Sequence, residues 1–197
     1  MNSLIPTMKR AAAALEQGRI PYVLGGSLGA WARGSPDTAA DLDFMVKPED
    51  AERALTALVG VGMREERPPE QWLFKAWDGD VLVDLIFGPS GVEITDDVIA
   101  RGERLGVAGM SIPVMAVEDL LTTVLMAMGE HSLDYEHPLQ MARSLREQVD
   151  WSEVSARTHG SPYARAFFTL IEELGIAGPV SEREPSRPRI RIAASEH

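Results

Sequence analysis

Apolar residues at Leu4, Met8, Ala12 and Leu15 recur at helical spacing, so the chain opens on an amphipathic helix over 3–17 that stops at Gly18. IPYVL (20–24) reads as a short apolar strand running into Gly25-Gly26. Ser27 then caps a short helix, LGAWAR, which ends at Gly34. After the loop GSPDT, ADLDFMV (40–46) is a second strand. KPEDAERALTALVGVG follows as a helix, with Pro48 and acidic residues at its start and glycine at its end.

QWLFKAW (71–77) and DVLVDLIF (80–87) flank Asp78-Gly79, a favoured two-residue turn, and predict a hairpin. A short helix over 94–104 and an extended piece around SIPVM come next. From Val117 the periodicity is wholly helical, through VEDLLTTVLMAMGEH, HPLQMARSLREQV, WSEVSARTHG and SPYARAFFTLIEELG. The pattern predicts an α+β fold, a mixed sheet with flanking helices followed by a helical C-terminal half. It divides the chain into 1–115, a helical unit at 116–178, and a proline- and arginine-rich tail over 179–197 with no periodicity. That tail reads as flexible, or as an arm for a partner.

Composition narrows the chemistry. With no cysteine there is neither a disulfide nor a thiolate zinc site, and any metal must be held by oxygen or imidazole, which favours hard cations. No signal peptide or membrane-spanning run is apparent, so a cytoplasmic protein is expected. A net charge of -11 argues against general electrostatic binding of nucleic acid. Only Lys9, Lys47 and Lys75 are lysines, so phosphate contacts fall mostly to arginine.

The unusual feature is charge placed on apolar strands. Asp41 and Asp43 alternate with Leu42 and Phe44, so the two carboxylates share a face, and Asp84 stands among apolar neighbours in VLVDLIF. Carboxylates brought together in this way repel and are poorly solvated unless a divalent cation joins them. Three of them on adjacent strands suit one or two magnesium or manganese ions, the arrangement that drives in-line displacement at phosphorus. Gly25-Gly26-Ser27 offers backbone N–H groups and a hydroxyl at a helix start, and residues without a Cβ let phosphate oxygens come close. Arg33, at the end of that helix, is expected to touch the triphosphate. The parts together describe a site for a metal-bound nucleoside triphosphate (NTP). Asp37 and Asp80 read as loop acids, His131 and His137 as solvated, and Trp72, Trp77, Trp151, Phe167 and Phe168 as core.

Leu24-Gly25-Gly26-Ser27, then Asp41-Leu42-Asp43-Phe44, then Val83-Asp84-Leu85, resembles the signature of the DNA polymerase β-like nucleotidyltransferase superfamily. Small size, the hairpin carrying the third aspartate, SIPVMAVEDLL and YARAFFTLIEELG are similar to the toxin nucleotidyltransferases of bacterial toxin–antitoxin pairs, the AbiEii-like and MenT-like group. The resemblance implies that Asp41, Asp43 and Asp84 bind magnesium (or manganese) and carry catalysis, with Gly25, Gly26, Ser27, Arg33 and Lys75 on the nucleotide. It implies transfer of a nucleoside monophosphate to the 3′ acceptor end of tRNA, a block of translation, and a cognate antitoxin as partner. It also makes Thr38, Ser35 and Ser27 candidates for neutralising phosphorylation. Many relatives carry a lysine where this chain has Val124, which leaves charge neutralisation to Lys75, or to Arg143 and Arg146. Two other readings fit the same residues: transfer to a small molecule or protein, as in antibiotic-modifying or AMP-adding enzymes, and a non-catalytic nucleotide sensor or antitoxin.

Overall fold

The computed structural model describes residues 4–36 and 41–178. Asp37, Thr38 and the tail over 179–197 lie outside the described residues. Helix α1 (Leu4–Gln17) precedes strand β1 (Tyr22–Leu24), short helix α2 (Gly26–Ala32) and strand β2 (Leu42–Val46). A single 3-10 turn (Pro48–Asp50) leads into α3 (Ala51–Gly60), followed by β3 (Arg64–Glu66), β4 (Leu73–Asp78) and β5 (Val81–Ile86). Then come α4 (Asp96–Arg101), β6 (Glu103–Val107) and β7 (Met110–Val114). Four helices end the described chain: α5 (Val117–Met126), α6 (Glu136–Leu145), α7 (Trp151–Thr158) and α8 (Pro162–Glu173).

The strands form one mixed sheet in the order β3-β4-β5-β2-β1-β7-β6. β2 runs parallel to β5 and antiparallel to β1, while β1 runs parallel to β7. Alternation along the central strands divides the interior. Tyr22, Leu24, Leu42, Phe44, Val46, Val83 and Leu85 face one core with α1 and α3, built on Met8, Leu15, Leu55 and Leu58. Val23 and Met45 face the other, with α5 to α8 and the large rings Phe167 and Phe168. Asp43 shares the face of Met45, so the carboxylates lie on the side covered by the helical half.

Three expectations are corrected by the fold. The hairpin turns on Gly79-Asp80, one residue later than Asp78-Gly79, because Asp78 still pairs with Val81 in the ladder. Asp78 is anchored there by the Thr7 hydroxyl at 2.7 Å and by Arg10 at 3.1 Å. The helix expected over 94–104 ends at Arg101, and the next residues form β6, which pairs with β7 around Ala108-Gly109, both at positive φ. Trp72 is 45% exposed rather than in the core. Strand β3, with three exposed charged residues, has no apolar alternation to reveal it; only its ladder with β4 defines it. Among the described residues no helix is long and apolar enough to cross a membrane.

Asp119, in the first turn of α5, is fully buried and joins three elements. Arg101 of α4 donates to both its oxygens, at 2.9 and 3.0 Å, and Arg157 of α7 donates to Oδ1 at 2.6 Å. Truncation would remove the carboxylate that both guanidinium groups share and leave a gap at a fully buried position, while Arg157 keeps its pair with Glu153. Asp119→Ala is therefore expected to lower unfolding free energy by about 2 kcal/mol, since a buried carboxylate that ties three elements is lost while its arginine partners stay partly solvated. Chemical denaturation of the variant beside the parent chain checks this.

Candidate active site

The site is assembled by strand register. In the parallel pairing of β2 with β5, Asp43 stands directly opposite Asp84. Asp41, expected on the strand over 40–46, lies instead in the bend just before β2, and its carboxylate still reaches the same place. One oxygen from each of Asp41, Asp43 and Asp84 lies within 4.8 Å of the others. On the far side of β5, Lys75 of β4 pairs with Asp84 in register, and its Nζ lies 3.3 Å from Asp84 Oδ1.

The electrostatics follow from this crowding. Burial, then repulsion from Asp41 and Asp84, pushes the Asp43 carboxyl up to about 7, with Lys75 opposing the rise. Asp84 is also raised, mainly by burial, against the pull of Lys75. Three carboxylates facing one ammonium leave an excess of negative charge that a hard divalent cation would neutralise, and an all-oxygen donor set is the kind such ions take. The residues fit that group.

The glycine turn closes the other side. Gly25 N donates to the Asp43 carbonyl oxygen at 2.8 Å, tying the turn to β2. Gly26 has φ +55°, and a Cβ there would come within 1.7 Å of Asp43 Oδ2. Glycine is thus required twice, for backbone conformation and for the approach to the carboxylate. Gly29 lets α2 settle on β1, where a Cβ would meet the Leu24 carbonyl oxygen at 2.8 Å. The helix cap is Gly25, with no side-chain capping bond, so Ser27 is not the cap expected from sequence. Ser27 is half-buried and opens onto a cleft of about 370 Å³ lined also by Asp134, Glu136, His137 and Gln140 at the start of α6. His137, expected to be solvated, is half-buried in this wall, and burial lowers its pKa. Sequence reasoning missed the cleft wall because its partners lie more than 100 residues from Ser27, and no motif links them.

Other expected residues are placed elsewhere. Arg33 is not brought to the carboxylates. Its Nε donates to the Met115 carbonyl oxygen at 2.7 Å, Nη2 to that of Val114, and Nη1 pairs with Glu103. With its side chain only 5% exposed, it straps α2 to the β6–β7 hairpin. Ser35 is buried, which covers its hydroxyl in this structure. Val124 packs against the helical core. Arg143 is exposed on α6, and Arg146, just past that helix, pairs with Glu147. Of the basic residues considered, Lys75 is the one placed at the carboxylates.

Residues 3–182 match the model of a family described as uncharacterised nucleotidyltransferases. The chain belongs to this nucleotidyltransferase family. Solved structures agree in fold. The antibiotic-resistance factor ANT(2″)-Ia, crystallised with adenylyl-2″-tobramycin, superposes with a TM-score of 0.62 at 16% identity, over 84% of this chain and 99% of that one. Its solution structure gives 0.61 at 15% identity, over 88% and 97%. A candidate nucleotidyltransferase of Thermotoga maritima gives 0.51 at 17% identity, over 63% and 84%. No curated protein matches the sequence. This member of the nucleotidyltransferases is therefore a transferase enzyme of mixed α/β fold; nucleotidyltransferases use an NTP with a divalent metal, and the aspartate trio is where such an ion would be held.

Proposed function

We propose that this nucleotidyltransferase moves a nucleoside monophosphate from a magnesium-bound (or manganese-bound) NTP to a hydroxyl of a small acceptor bearing cationic groups. The observation that carries the transfer chemistry is the convergence of three carboxylate oxygens within 4.8 Å beside the Gly25-Gly26 turn. The metal, when bound, polarises the phosphoryl oxygens and offsets the charge that develops on them. Asp41, Asp43 and Asp84 would hold it. Gly26 and Ser27 receive the triphosphate on a turn that Gly25 ties to β2, and Lys75 adds positive charge beside the carboxylates. Asp84 takes the proton of the attacking hydroxyl as the new oxygen–phosphorus bond forms and the bond to the pyrophosphate leaving group breaks. A binding module without catalysis would have no use for three mutually repelling, partly buried acids.

The choice of acceptor is supported by the cleft. It runs from Ser27 to a wall carrying Asp134 and Glu136, in a chain of net charge -11, and such a wall favours cations over an RNA backbone. ANT(2″)-Ia, bound to an adenylylated antibiotic, is in keeping with this. The second reading is a toxin that adds nucleotides to the 3′ end of tRNA and is held in check by an antitoxin; the sequence resemblance to toxin nucleotidyltransferases favours it. Of the serines named for regulation, Ser27 is the one that opens onto the cleft.

Each of the four NTPs, radiolabelled on the α-phosphate, can be offered with magnesium to total tRNA and to a panel of hydroxyl-bearing polyamines and aminoglycosides. Label is expected in the small-molecule fraction and is expected to vanish with Asp41→Ala. Label in tRNA instead installs the toxin reading, and label in neither overturns the proposed transfer.

A further inference from the structure

The strand registers line up a row of charges across the sheet. Glu66 of β3 stands opposite Lys75 of β4, Lys75 opposite Asp84 of β5, and Asp84 opposite Asp43 of β2. Directly opposed residues project from the same face. Lys75 is thus flanked by two carboxylates, and in this structure it sits on Asp84. That contact is shielded, with side-chain exposures of 25% for Lys75 and 12% for Asp84. Glu66 is exposed and is steadied by the Trp77 indole N–H, which donates to Glu66 Oε2 at 2.8 Å.

We infer that Lys75 is a resident counter-ion that moves between two carboxylates, resting on Asp84 in the metal-free protein and on Glu66 once a divalent cation engages Asp84. The inference rests on the metal-site reading given above. Without metal, Asp84 needs a positive partner against Asp41 and Asp43, and Lys75 supplies it. A cation arriving at Asp84 repels that ammonium. A stem of four methylenes lets the head turn away without disturbing the strand, and the opposed glutamate receives it. Metal affinity is then set by the difference between two ion pairs, and Glu66 favours metal binding although it is not among the ligating carboxylates.

Manganese titration without nucleotide, read by electron paramagnetic resonance of the free ion, tests this. Lys75→Met is expected to bind Mn²⁺ about tenfold more tightly than the parent chain, because nothing has to be displaced and a like charge is gone. Lys75→Arg is expected to bind much as the parent does. Glu66→Gln is expected to bind about threefold more weakly, and in the Lys75→Met background the same change is expected to have no effect. Unchanged or weaker binding by Lys75→Met overturns the inference. A Glu66→Gln effect that persists in the Lys75→Met background also overturns it, because the glutamate would then be acting through its general field. Failure of the metal site is a separate result: the parent chain would bind no Mn²⁺, or binding would survive Asp43→Asn, and the inference would fall with it. Circular dichroism melts with and without Mn²⁺ confirm that each variant folds.

Discussion

Asp43→Asn is expected to abolish nucleotidyl transfer and, in metal-free buffer at pH 8, to raise the melting temperature. Removal of one of the three carboxylates proposed to hold the metal would cost several kcal/mol of charge stabilisation in the transition state, so activity should fall at least about a thousandfold. The gain in stability follows from the raised Asp43 carboxyl, at about 7 against 3.8 unperturbed. The folded chain keeps a proton there that the unfolded chain releases. Stability therefore falls as pH rises from about 4 to about 7, and the whole loss is present above that range. Asparagine removes the charge and the loss together. After discounting for partial exposure the gain is about 2 kcal/mol, or about 5 °C in a chain of this size. At pH 4, where the carboxyl is protonated in the folded chain, the difference should close. Saturating magnesium should reverse the order, stabilising the parent and not the variant. A variant that still transfers nucleotide, or that melts below the parent at pH 8 without metal, contradicts the assignment.

Gly26→Ala carries the second large effect, by a different route. The methyl group would occupy the space of Asp43 Oδ2, at 1.7 Å, and lie 2.6 Å from Cγ, on a backbone at φ +55° that alanine adopts at a cost. The carboxylate must swing away, so metal and triphosphate lose their shared geometry; a displacement of about 1 Å at a reacting centre costs about a hundredfold in rate. Gly25→Ala is the informative companion. Its methyl group meets the flexible end of Met45, 2.4 Å from Cε, and should disturb packing more than catalysis. Steady-state kinetics together with melting curves separate the two, with Gly26→Ala the greater loss in turnover. Comparable turnover in both variants would remove Gly26 from the site.

The carboxylate trio was legible because it depends on local rules. Alternation put Asp41 and Asp43 on one face, and the hairpin pattern put Asp84 on a strand. Strand order was not local: nothing in the spacing says that β5 lies beside β2, and the two strands are taken as adjacent only because a shared metal would need it. Arg33 shows the limit most plainly. At the end of a helix that begins at the glycine turn, an arginine looks like a phosphate ligand. Its partners turn out to be the Met115 and Val114 carbonyls and Glu103, contacts between residues some 70 to 80 positions apart. The α6 wall of the cleft was hidden for the same reason. Strand β6 was missed because its glutamate, arginine and leucine continue a helical composition. The break comes at Gly102, where a Cβ would meet Val23 at 2.5 Å.

The parallel register of β2 and β5 bears on how the chain reaches its native state. The two strands meet only after a long stretch of chain, including α3 and the β3–β4 pair, has been closed between them, and such non-local pairing is slow. A slip of one residue would turn Asp84 to the opposite face and leave Asp43 without its partner. Misregistered chains would therefore have no place for the substrate complex, whereas correctly paired ones would be drawn forward by mass action. Substrate binding at this site would thus favour the correct weave of the sheet.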